Sequence, residues 1–137
     1  MNLVEQVISE KKIAVCCGAG GVGKTTVAAS LALEAARRGR RVLVLTIDPS
    51  RRLAETLGIS QNTPDPVALS PEVQALAGIE APGSLAAWIL DPERVSDRTV
   101  HRLVPDPQKA RKLMEQPIYR SLVSMTVGMQ EYTAMEA

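Results

Sequence analysis

The stretch "GAGGVGKTT", residues 18 to 26, constrains this chain more than any other. Gly18, Gly20, Gly21 and Gly23 crowd into six residues, a density that no helix or strand interior tolerates. Its flanks are the opposite in character. "KKIAVCC" (11–17) is a short continuous apolar run that stops at the glycines, and it predicts a parallel strand buried on both faces. Thr25 to Arg38 predicts a helix, with Val27, Leu31 and Ala35 on one stripe and Ala28, Ala29 and Ala32 small enough for close approach to a sheet. Arg37 and Arg38 suit the negative end of that helix, and Gly39 is its expected stop. A strand, a tight glycine turn and a helix in that order leave little choice of fold: "RVLVLTI" (41–47) then reads as a second buried strand, closing a right-handed parallel unit.

The residue types in the turn have a chemical reading. Gly18-Ala19-Gly20-Gly21-Val22-Gly23-Lys24-Thr25 satisfies the phosphate-binding pattern G-x-x-x-x-G-K-[ST] in full. Backbone N–H groups must wrap a triphosphate closely, and side chains would hold it away. The helix that starts near Lys24 points its free N–H groups and positive dipole end at the same place. Lys24 adds a charge for the β- and γ-phosphates, and the Thr25 hydroxyl is a Mg²⁺ ligand. From average composition the pattern arises by chance in roughly one chain in two hundred of this length, and the strand-to-helix context narrows that further. Gly18, Gly20 and Gly23 also spell the dinucleotide pattern G-x-G-x-x-G. Lys24-Thr25 directly after the last glycine favours a triphosphate, because the acidic residue that a dinucleotide site needs downstream is served only weakly by Asp48.

Beyond residue 47 the signals are coarser. "SRRLAETLGI" (50–59) reads as a short helix closed by Gly58, residues 60 to 83 as loop with one helical turn near "PEVQALAG", and "SLAAWIL" (84–90) as a third strand. The pattern then turns helical. Val100, Leu103 and Val104 share a face, Asp106-Pro107 opens a helix carrying Ala110, Leu113 and Met114, and Pro117 ends it. A last helix carries Met125, Met129 and Tyr132 on one stripe. The organisation expected is α/β: residues 1–93 as the N-terminal part of a nucleotide-binding domain and 94–137 as a helical segment that stops without a helix-ending signal.

Composition excludes several alternatives. The 137 residues are 45% hydrophobic, which supports a core and argues against disorder, yet aromatics are 2% with no Phe, so aliphatic residues do the packing. A net charge of +1 sets up no field for nucleic acid or anionic lipid. The clusters Arg37–Arg41 and Lys109–Lys112 lack interleaved aromatics and read as solvated faces. Cys16 and Cys17 are adjacent, with no disulfide framework or metal-ligand spacing, and read as buried strand residues; His101 stands alone and reads as a surface residue. The N-terminus carries Glu5 and Glu10 and is not a signal peptide, and no apolar run is long enough to span a bilayer, so a soluble cytoplasmic protein is expected.

"GGVGKTT" resembles the deviant phosphate loop of the large ATPase family that includes ParA, MinD, the nitrogenase iron protein and the arsenite-pump ATPase ArsA. "LTIDPSRRLAETLG" (45–58) is similar to the switch I segment of the ArsA branch, "LAAWILDPE" (85–93) to that branch's next strand, and "QEYTAME" (130–136) to a helix of some ArsA-like ATPases. The resemblance implies a three-layer P-loop NTPase with a parallel sheet, present here in part. It implies ATP and Mg²⁺ bound through Gly18, Ala19, Gly20, Gly21, Val22, Gly23, Lys24, Thr25 and Thr26, with Thr25 on the metal. It also implies a homo- or heterodimer with an ArsA-like subunit that couples hydrolysis to handling a membrane-protein client or a transporter. In that family the residue at the Asp48 position orients the water that attacks the γ-phosphate. The rival role is a Mg²⁺ ligand at the end of a Walker B strand, and the bland one a helix cap; Pro49 and the helix after it match the switch pattern better.

Two departures stand out. Most of the family carries a second lysine near the start of the loop that reaches the partner's ATP, and the matching residue here is Ala19. Arg51, Arg52 or a non-identical subunit could supply that charge. The family's further switch strand and base-binding loop have no counterpart, so an N-terminal portion of a longer protein is expected. ParA/MinD-type partitioning ATPases and a non-hydrolysing regulatory subunit are the alternatives. The methionines could line a client-binding surface, though helical core is the simpler reading.

Overall fold

A computed structural model describes residues 2–47, 52–59 and 65–126. The chain divides into two compact units, Met1–Ile89 and Leu90–Ala137.

The first unit holds helix α1 (Leu3–Glu10), helix α2 (Lys24–Arg37), strand β1 (Arg41–Thr46), helix α3 (Arg52–Leu57), strand β2 (Val67–Ala68), helix α4 (Pro71–Leu76) and strand β3 (Ser84–Ile89). The sheet order is β1-β3-β2. β1 and β3 run parallel with Arg41 opposite Ser84 and Thr46 opposite Ile89, while the two-residue β2 is antiparallel to β3. The core lies where α2 meets this sheet: Ala29, Ala32 and Ala36 pack with Val44, Leu69, Ile79 and the fully buried Leu85. Small residues on α2 let the helix axis come close, and the large volume is supplied from the strands.

Local chemistry sets the element ends. Asn2 caps α1 in a reciprocal box: its side chain accepts from the Glu5 N–H, and the Glu5 carboxylate accepts from the Asn2 N–H, both at 2.9 Å. Ser70-Pro71 and Asp91-Pro92 open helices by the same device of a capping oxygen and a proline in the first turn. α2 ends at Gly39, whose φ of +84° only glycine adopts without strain; its N–H donates to Ala36 O and that of Arg40 to Ala35 O, the two bonds of a Schellman motif. α3 and α4 close likewise, with Ile59 N–H donating to Ala54 O and Ile79 N–H to Gln74 O.

Side chains tie the pieces together. The Gln74 amide donates to Leu69 O at 2.7 Å and its carbonyl accepts from Leu85 N–H at 3.3 Å, which fixes α4 against β3. The Arg40 guanidinium donates to Ile8 O and, at 2.7 Å, to Lys11 O, anchoring the end of α1. Arg37 donates to Ala77 O.

Several expectations fail here. Residues 11–17 form no strand: Ile13 is 83% and Val15 81% exposed, and among the described residues no strand pairs with this run. An apolar run becomes a strand only when a neighbouring strand takes up its N–H and C=O groups. β1 has β3 on one side, and no described strand lies between it and residues 11–17. The expected parallel unit through 11–17 is therefore absent; the parallel pair is β1 with β3. β1 itself is covered on one face only, with Val44 buried and Leu43 47% exposed. The buried stripe of α2 is the alanine one, and Val27 is half exposed, because the helix turns its closest-packing face to the sheet.

The second unit contains helices α5 (Pro92–Leu103), α6 (Pro107–Met114) and α7 (Pro117–Thr126). Asp106 caps α6 as expected, accepting from Gln108 N–H at 3.0 Å. Its core uses Val95, Ala110 and Val123, whereas Leu103, placed by its spacing on a packing face, is 74% exposed. Met125 is exposed, so it is not core. Met129, Tyr132 and the "QEYTAME" helix lie outside the described residues. The Tyr119 hydroxyl donates to the Asp97 carboxylate at 2.9 Å, bridging α7 to α5.

Two tests follow from this packing. A Cβ on Gly83 would meet Ala36 O at 2.0 Å, so Gly83→Ala must push β3 from α2. We expect a loss of about 1–3 kcal/mol in urea unfolding; unchanged stability would mean that the strand and helix are not in this contact. Burial, then the hydrogen bond to Asp97, pushes the Tyr119 hydroxyl up to about 12 from an ordinary 10. A raised folded-state value means that the stabilisation is complete below about pH 10 and is lost as pH rises towards 12. Alkaline unfolding curves of the parent and Tyr119→Phe should differ in that window.

Candidate phosphate-binding site

The loop between residue 17 and α2 is exposed from Cys17 to Gly23. Gly23 is the N-cap of α2 with φ +88°, a left-handed geometry that costs an L-residue roughly 1–2 kcal/mol. That conformation turns the chain abruptly into the helix. Among the described residues, no side chain caps this end of α2. The first-turn N–H groups have no intrahelical acceptor by construction, and here they face the glycine loop rather than a serine or aspartate oxygen. Hypothetical Cβ atoms on Gly20, Gly21 and Gly23 would all project into open space. The loop is thus free to receive an oxygen-rich group.

Lys24 lies across it. Its ammonium donates to Ala19 O at 2.7 Å, closing the loop upon itself. Gly18 is part of this arrangement, since a Cβ there would sit 3.2 Å from Val22 Cγ2 and 3.9 Å from Lys24 Cδ. Thr25 is half-buried in the first turn, and Thr26 is exposed. Gly18, Ala19, Gly20, Gly21, Val22, Gly23, Lys24, Thr25 and Thr26 accordingly form one continuous surface: bare N–H donors, one primary ammonium and two hydroxyls. This donor set suits a polyphosphate with a divalent cation, Thr25 being the hydroxyl nearest the lysine in sequence. The acceptor role of the Ala19 carbonyl was not legible in the sequence, because it belongs to the backbone and depends on the loop's path.

Length places this surface relative to the sheet. Fourteen residues of α2 span about 21 Å, six residues of β1 about 20 Å, and the Gly39 turn makes them antiparallel neighbours. The first turn of α2 therefore lies towards the C-terminal ends of β1 and β3, the end of a parallel sheet at which ligands bind. Asp48, Pro49, Ser50 and Arg51 lie outside the described residues. An apolar groove of about 210 Å³ runs from Thr26 and Ser30 on α2 to Leu57, Val73 and Leu85. Among the described residues, no helix is long and apolar enough to cross a membrane.

The sequence profile of the anion-transporting ATPase family matches residues 11–135. A probable plasmid-partitioning protein ParA of Thermus thermophilus is 38% identical over 73 residues, 53% of this chain and 22% of its own length. An arsenical pump-driving ATPase of Escherichia coli is 33% identical over 96 residues, 67% of this chain and 14% of its own. The ATPase GET3 of Malassezia globosa is 35% identical over 57 residues, 40% of this chain and 17% of its own. The chain thus spans about a fifth or less of these relatives.

The geometry makes a direct prediction. Lys24→Ala should weaken the binding of inorganic tripolyphosphate at least about tenfold, the scale of one charge-assisted hydrogen bond at 1.5–3 kcal/mol. Calorimetric titration at low salt reads this; equal affinities in variant and parent would remove Lys24 from the site.

Proposed function

Because the chain belongs to the anion-transporting ATPase family, a family of P-loop ATPases, we propose that it binds Mg·ATP through Gly18 to Thr26 and forms part of an enzyme that hydrolyses it. The observation that carries this reading is the uncapped first turn of α2 behind a glycine loop, with the Lys24 ammonium already held over that loop. Lys24 exchanges the Ala19 carbonyl for phosphate oxygens, a charged acceptor in place of a neutral one. The bare N–H groups hold the phosphates in place, and the Thr25 hydroxyl ligates Mg²⁺. Mg²⁺ held there would offset the charge of the phosphates.

Residues 1–93 supply the nucleotide-binding portion of the protein and 94–137 a helical segment. Asp48, the second residue after β1 in sequence, orients the attacking water. Ala19 carries no charge, so a cation aimed at the γ-phosphate comes from another group of the same dimer, homo- or heteromeric. Hydrolysis changes the shape of that dimer to handle a membrane-protein client or a transporter, in the cytoplasm and without nucleic acid. The matches to the partitioning proteins ParA and Soj of Thermus thermophilus favour a second reading, a partitioning ATPase. Against it stand Ala19, where that branch usually keeps a lysine, and the Asp-Pro-helix pattern of residues 48–58, which it lacks.

Asp48→Asn separates the roles of that residue. In the complete protein, Mg·ATP binding should stay close to the parent's while phosphate release slows at least about 10²-fold, the scale of losing a positioned base or water-orienting group. Loss of Mg²⁺-dependent binding, with metal-free binding retained, would make Asp48 a metal ligand instead.

A further inference from the structure

We draw no further inference here: the strongest candidate, the apolar groove of about 210 Å³ that runs from Thr26 and Ser30 on α2 to Leu57, Val73 and Leu85, is an unpartnered apolar face, and nothing in the structure shows what covers it.

Discussion

The structure of the first unit depends on how closely α2 approaches the sheet. Ala29, Ala32 and Ala36 present almost no side chain, and Ala36 O lies where any Cβ on Gly83 would have to go. This contact sets the depth of the helix against β1 and β3. It buries Leu85 completely and holds the far end of α2, with the glycine loop, towards the C-terminal ends of the parallel strands. A bulkier residue in the alanine stripe would lift the helix and move the loop with it, so packing at one end of α2 governs geometry at the other.

The same helix carries opposite chemistry at its two ends. At the C-terminal end the Schellman bonds at Gly39 take up the Ala35 and Ala36 carbonyls, and Arg37 reaches across to Ala77 O. At the N-terminal end, among the described residues, no side chain caps the helix, and the loop's lysine contacts a neutral carbonyl. A helix whose first turn lacks a side-chain cap presents free N–H donors and the positive end of its dipole there.

Much of the local structure was legible because its causes are local. Gly39 and Gly58 as helix stops, Asp106-Pro107 as a helix start and "RVLVLT" as a strand each depend on a few neighbouring residues. The capping box at Asn2 and Glu5 was equally local, though it was not read from the sequence. The glycine turn into α2 was legible for the same reason, since its path follows from glycine spacing over a few positions. The run "IAVCC" was misjudged because strand formation is a property of a pair: β-branched and apolar residues permit a strand, and only a partner makes one. The burial expected for Cys16 and Cys17 failed with it.

The sequence by itself determined the donor set of the loop, the ends of most helices and the strands at 41–46 and 84–89, all of which follow from residue type and spacing over a few positions. Tertiary structure alone decided which stripe of α2 faces the sheet, that Lys24 rests on the Ala19 carbonyl, and that β2 adds an antiparallel edge to β3. It also decided that residues 11–17 stay outside the sheet. Each of these turns on groups brought together by the fold, or left apart by it, and spacing along the chain does not encode whether a distant surface arrives.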